Sequence, residues 1–416
     1  MSKVSAGSKN VPTQSVGTIR EELSPTLCHW FAGIDLVRIR SFQNQNKAMS
    51  KLYDVIIIGC GPAGATAALL LAAKGMDVAV LDKKSFPRFK LCAGMLTQKT
   101  LDQCSLFYPE LVHELKKRDI IRHVSSQYAI STGKKRLYTG SSKYSYVLVD
   151  RESYDQLWHE KVRETGASVY REQIVRVDIP ESRVTAKNGR VFRGRFILGA
   201  DGGSSRVRKT LALEKVVRPP WSKGSALALE TFVSRHQTGF PDFPELFTGI
   251  VPDGYAWSFP GASRQRLGIC SAVVKDGREL RKIMLDLLAG QGVHLDEKEI
   301  RGHVLPYGDY EKTPGFQNIL LLGDAAGMAD PLLGEGIYYA HATGGLAARA
   351  VEECWSRNDR TADVYSSLLS DIIRDMRIKW FMRKAGLGLL PLLQLRSLRP
   401  CLDFILPRLE HMIHKR

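Results

Sequence analysis

Gly59-Cys60-Gly61-Pro62-Ala63-Gly64 decides the fold through what stands on either side of it. Upstream, Val55-Ile56-Ile57-Ile58 is a continuous β-branched run, the pattern of a parallel strand buried on both faces. Downstream, Pro62 to Lys74 is rich in alanine and leucine. Its proline stands at the helix start, where the missing N–H costs nothing, and Gly75 ends the helix. Val78-Ala79-Val80-Leu81 reads as a second strand, and Asp82 ends it. In such a unit the first glycine permits a tight turn, the second lets backbone approach a pyrophosphate, and the third lets helix and strand pack closely. The helix N-terminus adds free N–H groups and the positive end of its dipole. An acid closing the second strand accepts hydrogen bonds from ribose hydroxyls. Strand, turn, helix, strand and acid in register predict a Rossmann-type unit that binds a dinucleotide, with Gly59, Gly61, Ala63, Gly64 and Asp82 at the site. The glycine spacing alone does not separate a nicotinamide from a flavin dinucleotide.

Working outward, the chain has 416 residues, of which 44% are hydrophobic, enough for one large α/β unit with a buried core. The net charge of +17 implies either solvated surface charge or acidic partners: phosphorylated cofactors, anionic lipid or nucleic acid. Seven cysteines, at 28, 60, 92, 104, 270, 354 and 401, show no zinc-type spacing and form no disulfide framework, so no metal site is expected. They suggest a reducing, cytoplasmic compartment. No apolar run reaches the roughly 18 residues needed to span a membrane. Residues 1–50 are polar and without period, a leader expected to be disordered or to precede a true start at Met49. Glu21, Glu22 and Asp35 weigh against a targeting peptide, since transit peptides are poor in acids.

The middle of the chain is richer in strands. Asn188-Gly189 marks a hairpin between Val184 and Phe192. Phe196-Ile197-Leu198 leads into Gly199-Ala200-Asp201-Gly202-Gly203-Ser204-Ser205-Arg206, and Ile319 to Leu322 leads into Gly323-Asp324-Ala325-Ala326-Gly327. Glu335 to Trp355 reads as a helix.

These two Gly-Asp segments resemble motifs of the FAD-dependent para-hydroxybenzoate hydroxylase-like superfamily, in the same order and at similar separations. Further stretches resemble the geranylgeranyl reductase family within it. Phe86-Pro87-Arg88-Phe89-Lys90-Leu91-Cys92-Ala93-Gly94 is similar to its Pro-Arg-x-Lys-x-Cys-Gly-Gly segment, with alanine at 93 where glycine is commoner. Val149 to Leu157 resembles the segment whose arginine, here Arg151, contacts the cofactor. Pro331-Leu332-Leu333-Gly334-Glu335-Gly336-Ile337 resembles the stretch whose backbone meets the isoalloxazine ring. Tyr255-Ala256-Trp257-Ser258-Phe259-Pro260 resembles the motif that lines the prenyl cavity, although Gly261 follows where lysine is usual. The resemblance implies FAD contacts at Ala63, Asp82, Cys92, Ala93, Gly94, Arg151, Val175, Asp324, Gly336 and Ile337, with Asp201 supporting the same region. It implies substrate contacts at Tyr255, Trp257 and Phe259. Their alternation on a strand puts all three on one face, as either a tunnel wall or ordinary sheet core.

The expected architecture is α/β. An FAD-binding domain spans 51–355 (segments about 51–125, 145–215 and 305–355), with an inserted β-rich substrate sheet at about 215–305. A basic helical region follows at 356–416. The function implied is reduction of C=C bonds in a geranylgeranyl chain on a lipid or pigment precursor, by hydride from flavin N5 and a proton from elsewhere. Cys92 is the expected catalytic thiol, unless it is only a small buried hydrophobe. The reductant expected is NADPH or reduced ferredoxin. Competing readings are a flavin-dependent monooxygenase or halogenase, and a non-catalytic flavin-binding membrane adaptor. The tail from Asp371 to Arg416 carries ten Lys/Arg and four acids interleaved with Trp380, Phe381 and several leucines. That pattern suits helices on an anionic membrane surface, at the inner face of the membrane, as well as helices packed on the protein's own core. No nucleic-acid module is recognisable, so no nucleic-acid partner is expected.

Overall fold

The computed structural model describes residues 51–133, 135–221, 224–356, 360–389, 408 and 414. The leader and most of the tail beyond residue 389 lie outside the described residues.

Leu52–Ile58 (β1), Pro62–Ala73 (α1) and Val78–Asp82 (β2) form the expected β-α-β unit. Met95–Leu96 (β3) follows, then the helices Gln98–Phe107 (α2) and Leu111–Lys117 (α3), and a long hairpin of Ile121–Ser131 (β4) and Arg136–Val149 (β5). Arg151–Glu164 (α4) leads to Ser168–Arg171 (β6), Ile174–Asp178 (β7), Arg183–Ala186 (β8) and Val191–Gly199 (β9). After Arg206–Leu213 (α5) come Ala226–Ser234 (β10), Glu245–Phe247 (β11), Gly254–Pro260 (β12), Arg264–Ser271 (β13), Gly277–Ala289 (α6) and Arg301–Leu305 (β14). Gly315–Phe316 (β15), Ile319–Leu321 (β16), Ile337–Cys354 (α7), Thr361–Leu368 (α8) and Ser370–Leu389 (α9) complete the order.

Two sheets result. The first runs β15-β16-β9-β1-β2-β6, and the β7–β8 hairpin joins it at β9. Its centre is parallel: Ile57 pairs with Val80 on one side and Leu198 on the other. Val55, Ile56 and Ile57 are fully buried, as a continuous β-branched run requires in a sheet covered on both faces. The helices α1 and α7 pack together against this sheet. The αα contact is close enough that a side chain at Gly344 would strike the Ala63 backbone.

The second sheet runs β14-β10-β13-β12-β11-β4-β5-β3. One face packs on α6, burying Leu229, Val233 and Ile269 against Leu280, Met284 and Leu288. The other face carries Ala228, Trp257, Phe259 and Cys270 and looks back toward the first sheet. This sheet draws on more chain than the 215–305 stretch. It recruits β3, β4 and β5 from before residue 150, through the parallel pairing of Ala129 with Glu245. Pairing over such a separation leaves no local signal in the sequence. Helix α7 starts at Ile337, two residues beyond Glu335, because Gly334 adopts φ +71° and Gly336 caps the helix.

Candidate functional site

A cavity of about 850 Å³ opens where the C-terminal ends of β1, β2 and β9 meet the apolar face of the second sheet. That is where open α/β sheets bind ligands. Gly59, Gly61 and Ala63 line it from the first turn, and Asp82 from the end of β2. Cys92, Ala93 and Gly94 enter from the loop before β3, and Arg151 from the start of α4. Asp201 comes from the turn after β9, and Asp324, Gly336 and Ile337 from the segments around α7. Tyr255, Trp257 and Phe259 form part of the opposite wall, all on one face of β12.

Two expected residues stand elsewhere. Gly64 lies outside the wall: an added Cβ would strike the Gly59 carbonyl, so its part is the close helix–strand packing. Val175 is 39% exposed and outside the cavity, and Ile174 lines it instead. The two alternate on β7, so only one of them can face inward.

The turn brings its backbone close to the neighbouring strand ends. Gly59 has φ +99°, and a side chain there would collide with the Ala200 carbonyl. Asp82 holds the turn closed, accepting from the Cys60 N–H at 2.8 Å and from the Lys84 N–H at 2.8 Å. Asp201 caps α5, with Oδ2 accepting from the Arg206 N–H at 2.5 Å. Its Oδ1 is buried with no hydrogen-bond partner, and burial raises the carboxyl above its ordinary range. An orphaned acceptor, a glycine cradle and a helix N-terminus on one cavity fit a dinucleotide with hydroxyl-bearing sugars.

Arg151 is 6% exposed and donates to Asp155 Oδ1 from Nη2 at 2.8 Å and from Nε at 3.2 Å. Arg88 approaches the other Asp155 oxygen at 3.3 Å. Burial works against the Arg151 charge, but Asp155 and the neighbouring Cys92 thiol hold it above its usual range. The Cys92 sulfur accepts from the Gly94 N–H at 3.4 Å. Lys90 lies 3.9 Å from Asp324 and 3.4 Å from His303 Nε2, forming a polar edge to an otherwise apolar wall.

Several groups at the site carried no signal in the sequence. Glu230, on β10, lines the cavity, is 1% exposed, and has no partner for either carboxylate oxygen. Burial pushes its carboxyl up from 4.5 to about 7, against the pull of Arg266, the Cys92 backbone and Arg151. Tyr255, expected only as a substrate contact, and Tyr307, just beyond β14, donate from their hydroxyls to the carbonyls of Leu333 (2.5 Å) and Leu332 (2.8 Å), tying down the loop before α7. Beneath that loop, Lys379 of α9 reaches Asp330 at 2.9 Å, and Lys99 of α2 reaches Glu335 at 2.7 Å.

Residues 52–227 match the family model described as an FAD binding domain. An uncharacterised protein of Methanosarcina barkeri is 32% identical over 349 residues, 82% of this chain and 86% of its own. The geranylgeranyl diphosphate reductase of Rhodobacter capsulatus is 30% identical over 317 residues, 72% of this chain and 74% of its own. The chain belongs to the geranylgeranyl reductase family of FAD-dependent oxidoreductases. The fold agrees. A geranylgeranyl bacteriochlorophyll reductase-like protein of Thermoplasma acidophilum superimposes with a TM-score of 0.66 at 21% identity, covering 88% of this chain and 92% of the other. Within this reductase family fold, the cavity joins the glycine turn to the aromatic face of β12 in one continuous space.

Proposed function

We propose that the protein reduces C=C bonds in a geranylgeranyl chain carried on a lipid or pigment precursor. The observation that carries this reading is the continuity of the cavity from the dinucleotide turn to an apolar wall bearing Tyr255, Trp257 and Phe259. A polyisoprenoid offers only apolar surface, so a long aromatic and aliphatic wall is what it needs for burial.

FAD, when bound and reduced, supplies hydride from N5. The residues of this chain do the rest. The turn at Gly59 and Gly61 and the start of α1 hold the pyrophosphate; Asp82 and Asp201 take sugar hydroxyls; Asp324 and the backbone at Gly336 and Ile337 hold the region of the ring. Cys92, Ala93 and Gly94 stand between that region and the second sheet. Arg151 fixes the loop through Cys92 and anchors itself on Asp155. The aromatic face of β12 positions the chain and excludes water from it.

The reductant in this reading is NADPH or reduced ferredoxin; the basic surface suits an acidic protein donor. Among the described residues no helix is long and apolar enough to cross a membrane. Access to a lipid substrate would then come from lying on a membrane surface, through the exposed face of α9.

Anaerobic incubation with geranylgeranyl diphosphate or a digeranylgeranyl phospholipid, with each reductant in turn, tests the proposal. The expected product is heavier by two hydrogens per bond reduced. Reductant consumption matched by oxygen uptake, with no hydrogenated product, would instead indicate a monooxygenase. A reducible flavin with no turnover on any prenyl substrate would indicate a binding protein.

A further inference from the structure

Glu230 is the one carboxyl among the described residues that lines the cavity with both oxygens buried and unpartnered. On β10 the residues alternate: Leu229 and Val233 pack onto α6, while Ala228 and Glu230 face the cavity. Gly268 of β13 lies directly across from Glu230 on one side and from Trp257 on the other. A side chain at Gly268 would strike the Trp257 indole, so its absence lets the indole lie over the strand that separates β12 from Glu230. Trp257 Nε1 is likewise buried without a partner. A carboxyl has been placed in the apolar wall with no ion-pair partner and no well-formed hydrogen bond among the described residues, which costs free energy unless it stays protonated or serves a ligand.

The surroundings define its charge state. Arg266 of β13 pulls on its charge, but it spends its guanidinium on the carbonyls of Ala93 and Val149. From β14, Arg301 pairs with Glu230 across the strands but stacks on the Phe89 ring at 4.4 Å, and His303 approaches Lys90. Arg151 of α4 is taken by Asp155, and Cys92 presents its backbone from the loop. Among the described residues no cation forms an ion pair with Glu230, and burial holds the carboxyl protonated to near neutrality. The Cys92 sulfur accepts from the Gly94 N–H and lies against the Arg151 guanidinium.

We infer that Glu230 is the acid that protonates the alkene in the reaction proposed above. This rests on the reductase reading. One alkene carbon takes the hydride, with both electrons, which oxidises the flavin; the other takes the proton from the Glu230 carboxyl. Glu230 is left as carboxylate and regains a proton from water entering the cavity once product has left. An acid at this place is matched to its task because its ordinary range would leave it ionised at neutral pH.

The test uses the full-length flavoprotein and Glu230→Gln, which keeps the side-chain shape. First, pH-difference infrared spectroscopy is recorded without substrate. A protonated-carboxyl C=O band should vanish as pH rises through neutrality in the wild type and be missing in Glu230→Gln; no such band would overturn the inference. Second, chemically reduced enzyme is mixed anaerobically with geranylgeranyl diphosphate. Glu230→Gln should hydrogenate it about 10²- to 10⁴-fold more slowly, with unchanged flavin content. A variant within about twofold of wild type would overturn the acid role while leaving the reductase reading intact. A wild type that shows the titrating band yet hydrogenates no prenyl substrate would overturn the reductase reading, and the acid role with it.

Discussion

At the scale of single residues, Gly59 and Glu230 mark the two ends of what a sequence can tell. The left-handed backbone of Gly59, the collision a side chain would make with Ala200, and the turn role all follow from a motif legible in six letters. Gly59→Ala should therefore cost about 1–3 kcal/mol from backbone strain alone, more from the clash, and should purify with little bound flavin. Flavin absorbance per mole of protein and the thermal midpoint check it. Glu230 was illegible because Leu227-Ala228-Leu229-Glu230-Thr231 does not reveal which face of β10 meets a cavity. Its carboxyl also predicts a pH dependence of stability. The folded protein binds this proton more tightly than the unfolded chain, so the stabilisation is fully present below pH 4.5 and is lost as pH rises to about 7 and beyond. Relative to Glu230→Gln, wild type should lose about 3 kcal/mol across that window. Urea midpoints of the two proteins at pH 4.5 and pH 8 measure the difference; equal shifts in both would remove the prediction.

Among elements, the loop between β16 and α7 shows how local motifs depend on distant support. Pro331 to Ile337 was readable as a cofactor segment, yet nothing in it names the groups that hold it in place. Tyr255 fastens it from the second sheet, Tyr307 from just beyond β14, and Lys379 from α9 through Asp330. Lys379 is 1% exposed. Burial works against its charge, but Asp330 and Asp375 hold it protonated above the usual range, while Lys379 keeps Asp330 ionised below its own. Removing one member strands the other in the interior. Lys379→Met should therefore destabilise the protein by about 3–5 kcal/mol, measured by chemical denaturation, whereas replacing Lys379 and Asp330 together by apolar residues should cost much less. Tyr255→Phe leaves the Leu333 carbonyl without its donor and should cost about 1–3 kcal/mol, with a changed flavin spectrum as the nearer sign that the loop has moved. The same non-local logic explains why β4 and β5 were not foreseen in the substrate sheet. The hairpin joins the sheet through β4, whose partner β11 lies more than a hundred residues on, and pairing at that distance is decided by the assembled fold.

For the whole molecule, the question is how a protein of net charge +17 would meet the isoprenoid substrate proposed for it. Along α9 the buried positions are Ile372, Met376, Lys379 and Arg383, and the last two turn inward to ion pairs with Asp330 and Asp253. Half of the sequence-level alternative, basic helix packed on the protein's own core, is thus present in the described part. The outer face retains the other half. Ile378, Trp380 and Phe381 are 47%, 43% and 69% exposed, among Arg374, Arg377 and Lys384. Large apolar groups set among unburied cations are the composition of a helix that rests at an anionic interface. Each basic residue near such a surface adds about 1 kcal/mol, screened within a Debye length, and each buried aromatic adds a contribution that salt does not screen. Co-sedimentation with vesicles containing phosphatidylserine or phosphatidylglycerol should therefore show two separable losses. Raising salt should weaken binding by the wild type, and the double variant Trp380→Ala, Phe381→Ala should bind less at every salt concentration while keeping its flavin and its thermal midpoint. If the double variant binds as wild type does, α9 is not the surface that meets the membrane, and the charge elsewhere on the molecule must carry the attraction.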